Sequence, residues 1–286
     1  MPDAWHNLGF MQERRFTDVP HALHGASNEN ASRRQLLFLH GVSRDWRTFH
    51  TLYPALDGEF HISALDFRGH GVSARTPGKY LVADYVGDAL ACLEALDSRE
   101  TIVYGHSLGA MTAFAVAARA ADRVAAVVLE DPPFSTMGTN LPNTPLGAYF
   151  RGMKETVASS RDAGELYKTF GALVVGGRPL REQRDEASLR YAAEGFARLD
   201  AAVFEPLVEG RWLEGYDLTG LLRQARCPVL LFQADPQSGG MLGDDEAGLL
   251  ADSLPACRLV RVEGSPHLIH WTQPQRILDE LSSFTG

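Results

Sequence analysis

Cysteine is scarce in this chain of 286 residues, which contains only three. Cys92, Cys227 and Cys257 show no paired spacing and no metal-ligand pattern with histidine. Such spacing gives no support for a disulfide framework or a structural zinc site. We interpret the three as small buried apolar side chains in a reducing compartment.

Basic residues are also fewer than acidic residues. The sequence has 27 lysines and arginines against 36 aspartates and glutamates, for a formal net charge of −9. Nucleic acids and anionic membrane surfaces both favour partners with basic patches. We therefore predict that the chain binds neither a nucleic acid nor a membrane.

Long hydrophobic runs are missing as well. No stretch approaches the roughly 18–20 apolar residues that a membrane-spanning helix needs. The first residues have neither the basic nor the apolar region of a secretory signal. These absences predict a cytoplasmic protein.

What the sequence does contain is an alternation of short apolar runs with helical patterns, which predicts a mostly parallel, doubly wound α/β sheet. Buried strands are expected at residues 35–40, 60–66, 124–131, 227–235 and 258–263, and in the run that begins at Thr101. Residues 9–25 predict one or two antiparallel edge strands. The alternation stops after residue 131, where mostly helical patterns follow. We predict a core formed by residues 1–131 and 223–286, with residues 132–222 inserted as a helical cap.

The most informative stretch is residues 105–109, with the sequence Gly-His-Ser-Leu-Gly. A β-branched run precedes it and an alanine-rich helical segment follows it. This order of strand, sharp turn and helix is typical of a nucleophile elbow, which presents a serine hydroxyl at the tip of the turn. Gly105 and Gly109 allow the two arms to approach closely. The pattern predicts Ser107 as a nucleophile.

A serine nucleophile needs a base and a carboxylate that orients the base. His267 follows the last predicted strand and should lie at the same sheet edge as Ser107, where open α/β sheets bind ligands. Asp235 ends the preceding strand and is predicted to be the acid. Asp131, which ends the strand before the insertion, is the alternative, together with its neighbour Glu130.

Acyl transfer also requires hydrogen-bond donors for the oxyanion that develops on the substrate. The backbone N–H of Leu108, directly after the nucleophile, is predicted to be one donor, and the N–H of Val42 the other. No cluster of histidine and acidic residues has the spacing of metal ligands. We therefore predict neither a metal ion nor a cofactor.

These pieces together resemble the α/β-hydrolase fold superfamily, specifically a serine-nucleophile member with a helical cap. The matching segments are residues 40–41, 66–73, 105–109 and 228–232, followed by Asp235 and His267. The acid loop departs from the pattern Gly-x-x-Asp that is common in the family, because Gln233 and a tighter spacing precede Asp235. The resemblance implies an enzyme that hydrolyses a small-molecule substrate as a monomer or homodimer.

Three functions remain open at this point. The first is a carboxylesterase- or lactonase-like serine hydrolase that cleaves an ester, thioester or lactone of a small to medium, largely apolar substrate. The second is a hydrolase of a carbon–carbon bond in a β-diketone or ring-cleavage product, in which polar cap residues would anchor a substrate carboxylate. The third is a ligand receptor without catalysis. The candidate pocket residues are Trp46, His106, Phe134, Tyr149, Phe150, Trp212 and Leu268.

Overall fold

A computed structural model describes residues 4–6, 8–16, 22–28, 30, 33–96, 98 and 100–285. In these ranges the strands are β1 Gln12–Phe16, β2 Leu23–Ser27, β3 Arg34–Leu39, β4 Phe60–Asp66, β5 Thr101–His106, β6 Val124–Glu130, β7 Val174–Val175, β8 Arg178–Pro179, β9 Val229–Ala234 and β10 Cys257–Val262. The α-helices are α1 Tyr53–Leu56, α2 Val82–Ala95, α3 Leu108–Arg119, α4 Pro145–Ser159, α5 Ala163–Ala172, α6 Glu186–Arg198, α7 Glu205–Val208, α8 Leu218–Gln224, α9 Asp244–Ser253, α10 Ile269–Thr272 and α11 Pro274–Thr285.

Eight of the strands form one sheet in the order β1-β2-β4-β3-β5-β6-β9-β10. The six from β4 to β10 in this order pair in parallel, whereas β1 and β2 are antiparallel. The predicted mostly parallel α/β sheet is confirmed. The predicted edge strands correspond to β1 and the start of β2, and residues 17–21 of that prediction lie outside the described residues.

The central strands are buried on both faces, and their side chains alternate between two apolar cores. On β3, Leu37 and Leu39 face the core that contains α2 and α3. Leu36 and Phe38 face the opposite core, which contains α1 and α11. Since neighbouring side chains on a strand point to opposite faces, a continuous apolar run fits a sheet covered by helices on both sides.

Helix α3 lies very close to the sheet because Gly109 has no side chain. A Cβ atom on Gly109 would stand 1.9 Å from the carbonyl oxygen of Leu39, and one on Gly105 would stand 2.1 Å from the carbonyl oxygen of Gly109. These approaches involve backbone atoms, which cannot move aside without shifting β3 or α3. The two glycines therefore set the distance between the nucleophile turn and the sheet.

We expect Gly109→Ala to lower the free energy of unfolding by about 3 kcal/mol or more, at the upper end of overpacking substitutions. Gly248→Ala is the matched control, because it lies within α9 with no atom within 4 Å of its added Cβ. The control should be neutral or more stable by up to about 1 kcal/mol, the helix preference of alanine over glycine. Urea unfolding followed by circular dichroism measures both. Equal stability of the two variants would contradict the close approach.

Residues 132–222 are mostly helical, as expected, with α4 to α7, most of α8 and a two-strand hairpin of β7 and β8. Their role as a separate cap stays a prediction. Helix α6 lies against the loop that follows β3, where the Tyr191 hydroxyl and Arg198 Nη2 donate to Asp45 at 3.1 and 2.8 Å. In the ranges described above, we find no helix with the length and apolar character to cross a membrane.

Candidate active site

Ser107 lies in a strained turn between β5 and α3. Its backbone has φ 55° and ψ −117°, and its N–H donates to the carbonyl of Glu130 at 2.9 Å. Within the described ranges, the non-glycine residues with positive φ are Ser43, Ser107 and Asp131. They follow β3, β5 and β6, which are adjacent in the sheet. Such conformations cost about 1–3 kcal/mol each and cluster at functional sites.

His267 lies in the loop between β10 and α10, and its imidazole contacts Asp131. Nδ1 of His267 is 2.6 Å from Oδ2 of Asp131. A carboxylate at this position favours the imidazole tautomer that carries its proton on Nδ1 and its lone pair on Nε2. The His267 side chain keeps 19% of its surface exposed, so the ring remains accessible from outside. This is the arrangement of a general base oriented by a carboxylate.

Asp131 is fully buried and is surrounded by hydrogen-bond donors. Backbone N–H groups of Ala234 and Leu242 donate to Oδ1, each at 3.2 Å, and that of Met241 donates to Oδ2 at 2.8 Å. A buried carboxylate stays ionised only when donors replace the lost water. These three N–H groups and His267 together satisfy the carboxylate.

The prediction that Asp235 orients His267 is wrong, and the alternative, Asp131, makes that contact. Asp235 is partly exposed, and its carboxylate accepts hydrogen bonds from the N–H of Gln237 at 2.9 Å and of Gly264 at 3.1 Å. These bonds lower its pKa. The Asp235 side chain thus stabilises the turn at Gln237 and binds Gly264 at the start of the loop that leads to His267. Its carboxylate is therefore not available to the imidazole.

The role of Leu108 and Val42 as oxyanion donors stays a prediction, and the structure shows where the two residues lie. Leu108 is the first residue of α3, and Val42 lies in the loop after β3. Neither N–H has a protein acceptor among the residues that the structure describes. The loop also lies directly on the nucleophile, because a Cβ on Gly41 would stand 3.2 Å from Cβ of Ser107. Both N–H groups are therefore free to bind a substrate oxygen.

Two buried histidines hold this loop in place. His70 Nε2 accepts the N–H of Ser43 at 3.2 Å, and its Nδ1 donates to the carbonyl of Arg68 at 3.0 Å. His40 Nε2 accepts the N–H of Phe67 at 3.1 Å. Burial lowers the pKa of His70 to about 3 and also lowers that of His40. Both rings are neutral at pH 7, as acceptance of a backbone N–H requires.

A buried group that the sequence did not predict lies beneath His267. His270 Nδ1 is 2.8 Å from Oε1 of Glu130, and the Tyr104 hydroxyl donates to Oε2 of Glu130 at 2.7 Å. His106 Nε2 donates to the carbonyl of His267 at 3.0 Å, and burial holds the pKa of His106 well below its ordinary value. The ligand atoms of His106, Glu130 and His270 lie within 4.8 Å of one another. Because hydrogen bonds occupy both Glu130 oxygens, we interpret the group as support for the His267 loop.

The predicted pocket residues divide by burial. Tyr149 and Leu268 are half-buried, and the His106 ring lies 4.6 Å from the His267 ring. The other four predicted residues are buried in the apolar cores, namely Trp46, Phe134, Phe150 and Trp212. That these four line a pocket stays a prediction. Aromatic character alone could not separate these two groups.

Known proteins resemble this chain in sequence and in structure. A 2-(acetamidomethylene)succinate hydrolase of Mesorhizobium japonicum is 26% identical over 265 residues, which cover 90% of this chain and 89% of that protein. The crystal structure of an E-2-(acetamidomethylene)succinate hydrolase superposes with a TM-score of 0.74 at 23% identity, covering 96% of this chain and 99% of the other. The enol-lactonase of Burkholderia xenovorans LB400 has the same TM-score of 0.74 at 17% identity, covering 95% and 99%. The family model for the alpha/beta hydrolase fold matches residues 35–274. The chain therefore belongs to the α/β-hydrolase fold family.

Proposed function

We propose that the protein is a serine hydrolase that cleaves an ester, thioester or lactone bond through a triad of Ser107, His267 and Asp131. The observation that carries the proposal is the 2.6 Å hydrogen bond between His267 and Asp131, which leaves Nε2 of the imidazole free as a base. The strained turn at Ser107 lies at the same sheet edge.

The reaction follows from these positions. His267 Nε2 takes the hydroxyl proton of Ser107 as the serine oxygen attacks the substrate carbonyl. The oxyanion of the tetrahedral intermediate accepts hydrogen bonds from the N–H groups of Val42 and Leu108. The imidazolium, stabilised by Asp131, then returns its proton to the leaving group as the acyl-enzyme forms. A water molecule deprotonated by His267 hydrolyses the acyl-enzyme and restores the serine.

The relatives support hydrolysis as the reaction class. The protein from Mesorhizobium japonicum that matches along most of its length is named as a hydrolase of 2-(acetamidomethylene)succinate. We do not assign its substrate to this chain, since the two are 26% identical. The residues that choose the substrate belong to the inserted helices and to the loops that follow β3 and β10.

A fluorophosphonate probe tests the nucleophile directly. We expect one covalent adduct per chain, located on Ser107 by mass spectrometry of the digested protein, because His267 and Asp131 activate that hydroxyl. Heat-unfolded protein is the control and should remain unlabelled. An unlabelled native protein, or an adduct on a different residue, would leave the receptor alternative as the better description.

A substrate panel then distinguishes the bond types. It contains p-nitrophenyl esters, lactones and vinylogous diketones, each assayed for turnover. We expect turnover of esters or lactones. Turnover of the diketones alone would instead support the carbon–carbon hydrolase.

A further inference from the structure

Arg44 lies in the loop after β3 with its guanidinium beside two aromatic rings, which contact each other edge-to-face with centres 5.0 Å apart. Its Cζ is 5.4 Å from the ring centre of Tyr191 in α6 and 5.1 Å from that of Trp271 in α10. Its side chain is half-buried. Within the described part of the chain, this guanidinium forms no ion pair and no hydrogen bond. Five N–H donors of a partly desolvated cation are thus left without an acceptor.

The carboxylates near Arg44 are already occupied by other groups. Asp45, the next residue, accepts from Arg47 and Arg198, each at 2.8 Å. Glu194 on α6 accepts from Arg47 at 3.3 Å. Burying a cation without a counter-ion is costly. These carboxylates are therefore not available to Arg44, and its partly exposed guanidinium can bind an anion from solution.

A second arginine, Arg184 in the loop before α6, also lacks a carboxylate partner among the residues that the structure describes. Arg184 Nη2 donates to the hydroxyl of Tyr149 at 3.1 Å, and its Cζ lies 5.6 Å from the ring centre of Phe170. The next residue, Asp185, accepts instead from the N–H of Ser188 at 2.9 Å. Burial lowers the pKa of Arg44, and the charge of Arg184 contributes in the same direction to a smaller degree.

The position of Arg44 connects this charge to the reacting atoms. Arg44 is two residues after Val42, and its N–H donates to the carbonyl of Gly41 at 3.2 Å. The charge of Arg44 also contributes to the lowered pKa of His106, the neighbour of Ser107. Trp271, whose ring packs beside the Arg44 guanidinium, is four residues after His267. The free guanidinium thus belongs to the same sheet edge as the triad.

We propose that Arg44 binds a carboxylate of the substrate, so that the enzyme acts on acyl compounds that carry a free carboxylate. This inference rests on the proposed serine hydrolase and names its substrate class. The guanidinium fork matches a carboxylate with two parallel hydrogen bonds, and the rings of Tyr191 and Trp271 pack beside it without using its N–H donors. It also revises the expectation of a largely apolar substrate.

Matched esters test the proposal. The half esters of adipic and suberic acid with p-nitrophenol carry a terminal carboxylate, and p-nitrophenyl hexanoate and octanoate have the same chain lengths without it. We expect the wild type to favour the anionic esters at least about tenfold in kcat/KM. Arg44→Met should lower the ratio of anionic to neutral kcat/KM by about 10- to 100-fold, the range for a lost charge-assisted hydrogen bond. Arg44→Lys should keep part of the preference, since it retains the charge without the fork.

Arg190→Met is the matched control, because it removes one positive charge from the exposed side of α6, next to Tyr191. Its anionic-to-neutral ratio should equal that of the wild type. Adipate should also slow fluorophosphonate labelling of the wild type but not of Arg44→Met. The proposal is overturned if the wild type shows no preference for the anionic esters, or if Arg44→Met and Arg190→Met have the same ratio. If Ser107 is labelled and neutral esters are turned over without any preference for anionic ones, the carboxylate site is rejected and the serine hydrolase is retained. Absence of Ser107 labelling would reject the proposed function itself.

Discussion

Ser107→Ala should lower kcat for ester hydrolysis by about a millionfold, as loss of the nucleophile does in other triad enzymes. The variant keeps the oxyanion donors of Val42 and Leu108, so the remaining rate is that of water attack on a bound substrate. The fold should survive, because the backbone N–H of Ser107, not its hydroxyl, makes the bond to Glu130. The measurement is turnover of the best ester from the panel, with labelling by fluorophosphonate as a second readout.

Ser253→Ala provides the control for this variant. Ser253 is exposed at the end of α9, far along the chain from the triad, and its replacement should leave kcat within about twofold, as is usual for surface substitutions. If Ser107→Ala kept more than a hundredth of the wild-type kcat, the assignment of the nucleophile would have to be abandoned.

Asp131→Asn should lower kcat by about ten-thousandfold, the cost measured when a triad carboxylate becomes an amide. The amide has one accepting oxygen, whereas Asp131 accepts from His267 and from the N–H groups of Ala234, Met241 and Leu242. At least one donor then faces an NH₂ group, and the imidazole loses the proton arrangement that leaves Nε2 as a base. Steady-state kinetics at pH 7 on the same ester measures the effect.

Asp235→Asn is the comparison that makes this result informative. Its carboxylate closes an exposed turn, and the amide oxygen can still accept from Gln237, so kcat should change by less than about threefold. A loss of activity in Asp235→Asn with a nearly normal Asp131→Asn would reverse the assignment. Because Asp131→Asn also leaves buried N–H groups short of an acceptor, its unfolding midpoint is measured to show that the assayed protein is folded.

The nucleophile and base could be predicted because local chemistry determines them. Residues 105–109 need only short-range sterics and the order of strand and helix to place Ser107, and His267 follows from its position after the last parallel strand. The acid could not be chosen in this way. Asp131 and Asp235 both end strands at the right edge, and the chain order of serine, acid and histidine fits either one. The positive φ of Asp131 and the approach of residues 241–242 make the difference, and both are tertiary features.

The substrate site was the least predictable part for a related reason. Aromatic residues of the insertion were chosen by type, yet burial places Phe150 and Trp212 in the core. Arg44 belongs to no recognisable sequence motif. It is distinguished by having no ion-pair or hydrogen-bond partner for its guanidinium among the described residues. Whether Arg44 has a partner depends on which arginines reach Asp45 and Glu194, and sequence spacing does not predict this.

The contacts of Asp45 have a consequence for how substrate enters and product leaves. A buried carboxylate on the core loop binds Arg198 and Tyr191 of α6, so separating α6 from the core would strip that carboxylate of two of its partners. Arg47 would still pair with Asp45, but the loss of one charge-assisted hydrogen bond alone costs about 1.5–3 kcal/mol, which limits the separated state to less than about one molecule in ten. Any opening of the inserted helices is therefore expected to pivot about a stationary α6. The gate that admits substrate would then lie in the helices that Asp45 does not hold.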